Sequence, residues 1–210
     1  EDIHRRIFAA MLANLDDSVG EVIAALEQNE LTENTIIVFL SDNGGPTREL
    51  TSSNLPLRGG KGQMYEGGIR VPFMVQWKGT IAAGQLYRQP VLSTDLMATF
   101  SALADAPLPR TKLDSVDLLP YIQGDRNGAP HEYLFWRTGN KRALREGDWK
   151  ALLEPGRRGS PDWQLYNLKN DLSESNDLAK TSPDILQSLT DKWNAVNGEM
   201  IDPIYDPRKK

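Results

Sequence analysis

The run Ile36-Ile37-Val38-Phe39-Leu40, breaking into Ser41-Asp42-Asn43-Gly44-Gly45, constrains this chain more than any other stretch. Five consecutive apolar residues, three of them β-branched, predict a strand buried on both faces, as in a parallel sheet. In open α/β sheets, ligands gather just beyond the carboxyl ends of the strands. The carboxylate of Asp42 and the carboxamide of Asn43 therefore fall where such sheets keep their chemistry. Both offer hard oxygen donors, which suit Ca²⁺ or Mg²⁺. Leu57-Arg58-Gly59-Gly60-Lys61-Gly62 follows, a lone lysine among glycines and well placed to meet an anion. Taken alone, Asp42-Asn43 is more simply a turn with side-chain-to-backbone bonds, and Lys61 a solvated surface charge.

The surroundings support an α/β unit. Ile7, Met11, Leu12, Leu15, Val19, Val22, Ile23 and Leu26 recur at helical spacing between about Ile3 and Asn29. A polar turn over 30–34 leads from that helix into the strand. Asn43-Gly44 could open a hairpin, but Thr47 to Asn54 shows no strand alternation, so the region from Gly44 to Gly68 reads as a long glycine-rich loop of the kind that is usually functional or disordered. Ile69, Val71, Phe73, Val75 and Trp77 then alternate with Arg70, Pro72, Met74 and Gln76, a strand with one apolar face, and Pro72 places it at an edge or bulge. Ser93 or Thr94 is a candidate cap for a helix to about Ala104, with Asp95 at its dipole-favoured start. Val116 to Ile122 reads as a short helix stopped by Gly124.

Composition shifts after Gly124, where Asp125-Arg-Asn-Gly-Ala-Pro130 is a turn-rich linker. We therefore expect two parts, residues 1–124 as α/β and 125–210 as a small α+β subdomain. Short strands are expected at Tyr133 to Arg137, Arg142 to Arg145, Trp149 to Leu153 and Gln164 to Leu168, forming a small antiparallel sheet. Ser182-Pro183 opens a last helix whose inward face is Ile185, Leu186, Leu189, Trp193 and Val196. The tail after Met200 is expected to lie extended against the body or to be disordered. Trp136, Trp149, Trp163 and Trp193 read as core rather than a carbohydrate platform, with one or two of them open to rimming a sugar site.

Bulk properties narrow the function classes. A net charge of −5 with no basic run before the last three residues argues against a nucleic-acid partner. No apolar run reaches the length of a membrane span. The chain has no cysteine, which removes disulfides, thiolate metal sites and cysteine nucleophiles within it. It opens almost directly into a helix, so we expect an N-terminal portion to precede it.

Leu40-Ser-Asp-Asn-Gly-Gly45, the block from Leu57 to Pro72, and Trp163-Gln-Leu-Tyr-Asn-Leu-Lys-Asn-Asp171 together resemble the C-terminal half of type I, formylglycine-dependent sulfatases. Ser93 to Phe100 and Asp114 to Pro120 are similar to two further blocks of that family, in the same order. The resemblance, over about residues 8 to 180, implies an alkaline phosphatase-like α/β/α sandwich with a mostly parallel sheet, followed by the small antiparallel sheet and its packed helix. It implies hydrolysis of a sulfate ester, of a small molecule or a glycan. Asp42 and Asn43 match the metal-binding pair, for Ca²⁺ or sometimes Mg²⁺. Lys61 matches the lysine that contacts the substrate's sulfate. Glu66 and Arg70, in the same block, read as loop-anchoring charges, Asp95 as a helix-start residue, and His131 as a packing or capping residue. Family membership also suggests a periplasmic or secreted protein.

The resemblance is incomplete in its chemistry. The family's aldehyde is made from Cys or Ser in a Cys/Ser-x-Pro-x-Arg motif. In this chain the residues two before its three Pro-x-Arg prolines are Gly44, Asn54 and Leu153, and none can become the aldehyde. The family's paired aspartates and catalytic histidines have no match, and His4 and His131 do not replace them. The formylglycine and those groups are expected in an N-terminal half, covalent or associated. The chain alone is expected to bind Ca²⁺ weakly and to be inactive. Two other readings remain at this level: a phosphate or phosphonate monoester hydrolase of the same superfamily, and a non-catalytic module binding Ca²⁺ or sulfated glycans.

Overall fold

The structure is a computed structural model describing residues 2–47, 52–155 and 162–202. Most of the expected tail after Met200 and the turn at 154–156 fall partly outside the described residues. Two compact units divide the chain. The first holds residues up to Ser41 together with Pro72–Glu132, and the second holds Asp42–Val71 together with the chain from Tyr133 onward. The units therefore do not follow a single cut along the sequence.

In the first unit, helix α1 spans Ile3–Gln28, opened by Asp2, whose side chain accepts the His4 amide at 2.9 Å. A 3-10 turn at Thr32–Asn34 leads to strand β1, Ile37–Leu40. β1 pairs antiparallel with β2, Phe73–Gln76, in the register Val38 to Val75 and Leu40 to Phe73. Two sequence expectations change here. The strand expected to have parallel neighbours and two buried faces is half of an antiparallel pair within this chain, and Phe39 is 36% exposed. The alternation read from Ile69 onward is strand only from Phe73; Glu66–Ile69 form the short helix α2. Pro72 explains the late start, because it has no amide to donate and its carbonyl instead receives the Ser41 amide at 3.2 Å.

Helix α3, Asp95–Leu103, and α4, Leu119–Gln123, complete the first unit, with Gly124 in the left-handed conformation ending α4. Thr94 makes no side-chain cap. Asp95, in the first turn, instead ties two segments outside the helix to its start. It is fully buried, its Oδ2 accepts the Leu92 amide at 2.7 Å and its Oδ1 the Val116 amide at 3.0 Å. His131 Nε2 lies 2.8 Å from Asp95 Oδ2, so the histidine completes a buried polar pair as well as packing.

The second unit is a four-stranded antiparallel meander. Its strands are β3 (Tyr133–Thr138), β4 (Lys141–Glu146), β5 (Trp149–Leu153) and β6 (Gln164–Asn167), in spatial order. Leu144 faces Ala151, and Ala151 faces Leu165; this row packs on helix α5, Pro183–Gly198, through Leu189 and Trp193. On the opposite face, Ala143, Leu152 and Tyr166 pack on Met64 and Tyr65 of the glycine-rich loop. The sheet is thus buried on both faces. This explains why Ala151-Leu152-Leu153 is apolar without alternation.

Candidate functional site

All three residues singled out by the sequence, Asp42, Asn43 and Lys61, lie in the second unit, on a loop held by its own backbone and by the sheet beneath it. The loop folds because glycines let its strands interlock. A Cβ on Gly44 would meet the Gly67 carbonyl oxygen at 1.7 Å, so no other residue fits there. The Gly44 amide donates to Gly68 O at 3.1 Å, and the Lys61 amide donates to Gly45 O at 3.1 Å. That second bond ties the lysine segment to the Asp42-Asn43 turn. Asp42 and Lys61 are exposed, and Asn43 is half-buried with Nδ2 donating to the Gly44 carbonyl at 3.0 Å.

Asn54 is the hub of the loop. Its Oδ1 accepts the Gly45 amide at 3.1 Å, and its Nδ2 donates to the carbonyls of Gly45, Gly59 and Gly67 at 3.2, 3.0 and 2.9 Å. One carboxamide therefore satisfies backbone groups from three parts of the loop, which a loop without strand partners must arrange somehow. Sequence reading gave Asn54 no role. An asparagine in a Ser-Ser-Asn-Leu-Pro stretch looks like an ordinary turn residue, and its partners are up to 13 residues away.

A buried charge network anchors the other end of the loop. Lys150, on the loop face of β5, is fully buried and donates to Glu66 Oε1 at 2.9 Å and Glu174 Oε1 at 2.8 Å. Glu174 Oε2 accepts the Glu66 amide at 2.6 Å, and its carbonyl accepts Arg58 at 2.6 Å. Burial pushes the Glu174 carboxyl above the ordinary carboxylate value, although Lys150 pulls it back. Among the described residues Glu66 Oε2 has no hydrogen-bond partner, but Arg70 and Arg145 stand 3.7 and 3.8 Å from it. The Glu66–Arg70 pair expected from the sequence exists, and the closer partner of Glu66 is Lys150. Arg58 also donates to the Tyr166 hydroxyl at 3.1 Å and lies 4.0 Å over the Tyr65 ring. Burial pushes the Tyr166 hydroxyl up to about 12 despite that guanidinium.

The donor set around Asp42 and Asn43 is one of hard oxygens, compatible with a Ca²⁺ or Mg²⁺ ion. Among the described residues, no group of three or more His, Cys, Asp or Glu side chains is arranged to hold a metal ion. Asp42 and Asn43 fall short of the roughly six to eight oxygens that Ca²⁺ takes, so the described residues do not complete a site of that kind by themselves. No helix of the described residues is long and apolar enough to cross a membrane.

With this geometry in view, the comparisons with known proteins are consistent with one another. A sulfatase family model matches residues 4–106, and the N-sulphoglucosamine sulphohydrolase C-terminal model matches residues 60–198. The chain belongs to the sulfatase family and corresponds to the C-terminal portion of a type I sulfatase with the alkaline phosphatase-like fold. It is 32% identical over 212 residues to human arylsulfatase A, covering 87% of this chain and 41% of that protein. It is 36% identical over 165 residues to human steryl-sulfatase, covering 70% of this chain and 28% of that protein. The crystal structure of Ps i-CgsB in complex with k-i-k-neocarrahexaose matches with a TM-score of 0.87 and 31% identity, covering 100% of this chain and 47% of that one. The chain thus spans less than half the length of these relatives. Membership of the family implies, in general, a metal ion and a formylglycine.

Proposed function

We propose that this chain supplies one wall of a sulfate-ester hydrolase site. Asp42 and Asn43 are ligands to a Ca²⁺ ion, and Lys61 contacts the sulfate. The observation that carries the reading is the bond from the Lys61 amide to Gly45 O, 3.1 Å, which joins the lysine segment to the Asp42-Asn43 turn on a single interlocked loop. A sulfate ester presents anionic oxygens on one side of sulfur and a leaving oxygen on the other. A divalent cation bound at Asp42 and Asn43 would polarise the sulfuryl oxygens. The Lys61 ammonium, placed on the same group, offsets the charge that develops on it as the ester bond breaks.

The nucleophile comes from elsewhere, because no residue of this chain stands in the family's Cys/Ser-x-Pro-x-Arg position. We assign it, with the remaining metal ligands and the proton donor, to the portion of the catalytic domain that this chain does not span. That portion, covalent or associated, is the chain's partner. The substrate class we favour is a sulfated carbohydrate, supported by the oligosaccharide bound to the 31%-identical relative.

The experiment is turnover of matched aryl sulfate, phosphate and phosphonate esters by the full-length enzyme and by its Lys61→Ala and Asp42→Asn variants. The reading requires sulfate to be the preferred ester, with a loss of about 100-fold or more in kcat/KM for Lys61→Ala. Preference for phosphate or phosphonate, or undiminished activity in Lys61→Ala, overturns it. The 210-residue chain alone is expected to show no turnover and only weak Ca²⁺ binding by calorimetry.

A further inference from the structure

The geometry points to Lys141 and Glu154 as a positioning pair that sets the backbone of the lysine loop, and through it the place of the Lys61 ammonium. The inference rests on the reading of Lys61 as the sulfate-contacting residue. Lys61 is exposed and has glycine on either side, with Gly62 at a φ of +78°. Such a segment has wide backbone freedom, and lysine carries its charge on a flexible four-carbon stem. The turn is closed by the Gln63 amide donating to Gly60 O at 2.9 Å and the Gly60 amide donating to Gln63 Oε1 at 3.0 Å, and contacts from outside the segment then set where its Lys61–Gly62 tip lies.

The sheet supplies the means. Lys141 opens β4 and Glu154 follows β5, and the register pairing Arg142 with Leu153 brings their side chains together. Lys141 Nζ lies 2.6 Å from Glu154 Oε1. Each then spends its remaining capacity on the loop. Lys141 Nζ donates to the Gly62 carbonyl, and Glu154 Oε2 accepts the Met64 amide at 2.8 Å. A cation on one carbonyl and a carboxylate on an amide two residues later fix the chain immediately after Lys61. The Lys61 amide, bonded to Gly45 O, fixes it from the other side. Charge-assisted bonds of this kind are about twice as strong as neutral ones, and the Glu154 side chain is only 9% exposed. Ion pairs on the surface contribute little to stability by themselves. The significance of this pair lies in its backbone partners.

The pair acts through Lys61, so a double-mutant cycle isolates it. The full-length enzyme is assayed on a chromogenic aryl sulfate as wild type, Lys61→Ala, Lys141→Met, and the double variant. Lys141→Met is expected to lose about tenfold in kcat/KM, since small misplacements of a catalytic group are costly. In the Lys61→Ala background the same substitution is expected to change the rate by less than about twofold. Lys141→Arg, which still donates to the Gly62 carbonyl, is expected to recover most of the loss. Glu154→Gln keeps an oxygen for the Met64 amide but loses the ion pair, and is expected to lose less than Lys141→Met; it also serves if Lys141→Met does not fold. Full activity in both Lys141→Met and Glu154→Gln overturns the inference, as do losses that add to that of Lys61→Ala. Full activity in Lys61→Ala itself overturns the underlying reading of the site as well, which distinguishes the two failures.

Discussion

Helices α1 and α5 carry the same kind of sequence and meet different fates. Both are amphipathic at a 3.6-residue period. On α5, Leu189 and Trp193 are buried, each 2% exposed, with Trp193 stacked on Phe135 at 5.2 Å between ring centroids. On α1 no residue is buried, and Ile7, Met11 and Val22 are 53, 65 and 60% exposed. The difference shows that periodicity identifies which face of a helix is apolar, whereas what covers that face depends on the rest of the molecule. For α5 the cover is the sheet of the same unit. For α1 we assign it to the portion of the enzyme proposed above as the partner.

The largest effect is expected on the α5 side. Trp193→Ala is expected to destabilise the chain by about 3–5 kcal/mol, the usual range for emptying a large aromatic site in a core. Denaturant unfolding followed by circular dichroism measures it, and a cost below about 1 kcal/mol would mean α5 is not the core helix described here. The buried network on the opposite face of the sheet should respond comparably. Lys150→Met leaves the Glu66 and Glu174 carboxylates without their common cation and is expected to cost about 3–5 kcal/mol. Adding Glu66→Gln and Glu174→Gln to Lys150→Met should return part of that loss, because the buried charges then go together.

The sequence made the C-terminal sheet legible because its strands end in Gly139 and Gly147 turns and are rich in aromatic and branched residues. Helix α5 was equally clear from its leading proline and its apolar spacing. Asp42, Asn43 and Lys61 stand out in the sequence at a strand end and in a glycine run, their roles come from the family resemblance, and the structure adds that one loop carries all three. The supports of that loop were out of reach. Lys150, Glu174 and Asn54 look like surface residues in a sequence, and each matters through a partner far along the chain, as Lys150 does with Glu66 over 84 residues. The antiparallel pairing of β1 was missed for a related reason. A continuous apolar run suggests burial on two faces, but both the cover and the strand direction depend on neighbours that the run itself does not specify. The grouping of 42–71 with the C-terminal sheet likewise depends on Met64 and Tyr65, whose packing partners lie at Ala143, Leu152 and Tyr166.

A titration sharpens the view of the loop-facing side of the sheet. Burial raises the Tyr166 hydroxyl from 10.0 to about 12, partly opposed by Arg58. A pKa higher in the folded state than in the unfolded chain stabilises the fold fully below the unfolded value, and this is lost as pH rises through the folded one. Melting temperature should therefore fall between pH 10 and about 12, and Tyr166→Phe should make that fall shallower. Arg58→Met removes the favourable charge and should raise the Tyr166 value further, read from phenolate absorbance. A Tyr166 that ionises near the ordinary tyrosine value of 10.0 would show that Met64 and Tyr65 do not seal that face.

The smallest effects are expected on α1, and they test the comparison most directly. Met11→Ser and Val22→Ser alter side chains that are 65 and 60% exposed in this chain. In the isolated chain each should change unfolding free energy by no more than about 0.5 kcal/mol, as surface substitutions do. In the full-length enzyme the same face, once covered, should make each substitution cost about 1.5–3 kcal/mol, the range for a buried aliphatic side chain. The contrast between the two measurements is the informative quantity, because intrinsic helix propensity acts equally in both. Equal and small costs in the two settings would mean that α1 keeps its apolar face to solvent in the complete enzyme. Its periodicity would then need an explanation other than packing against the rest of the catalytic domain.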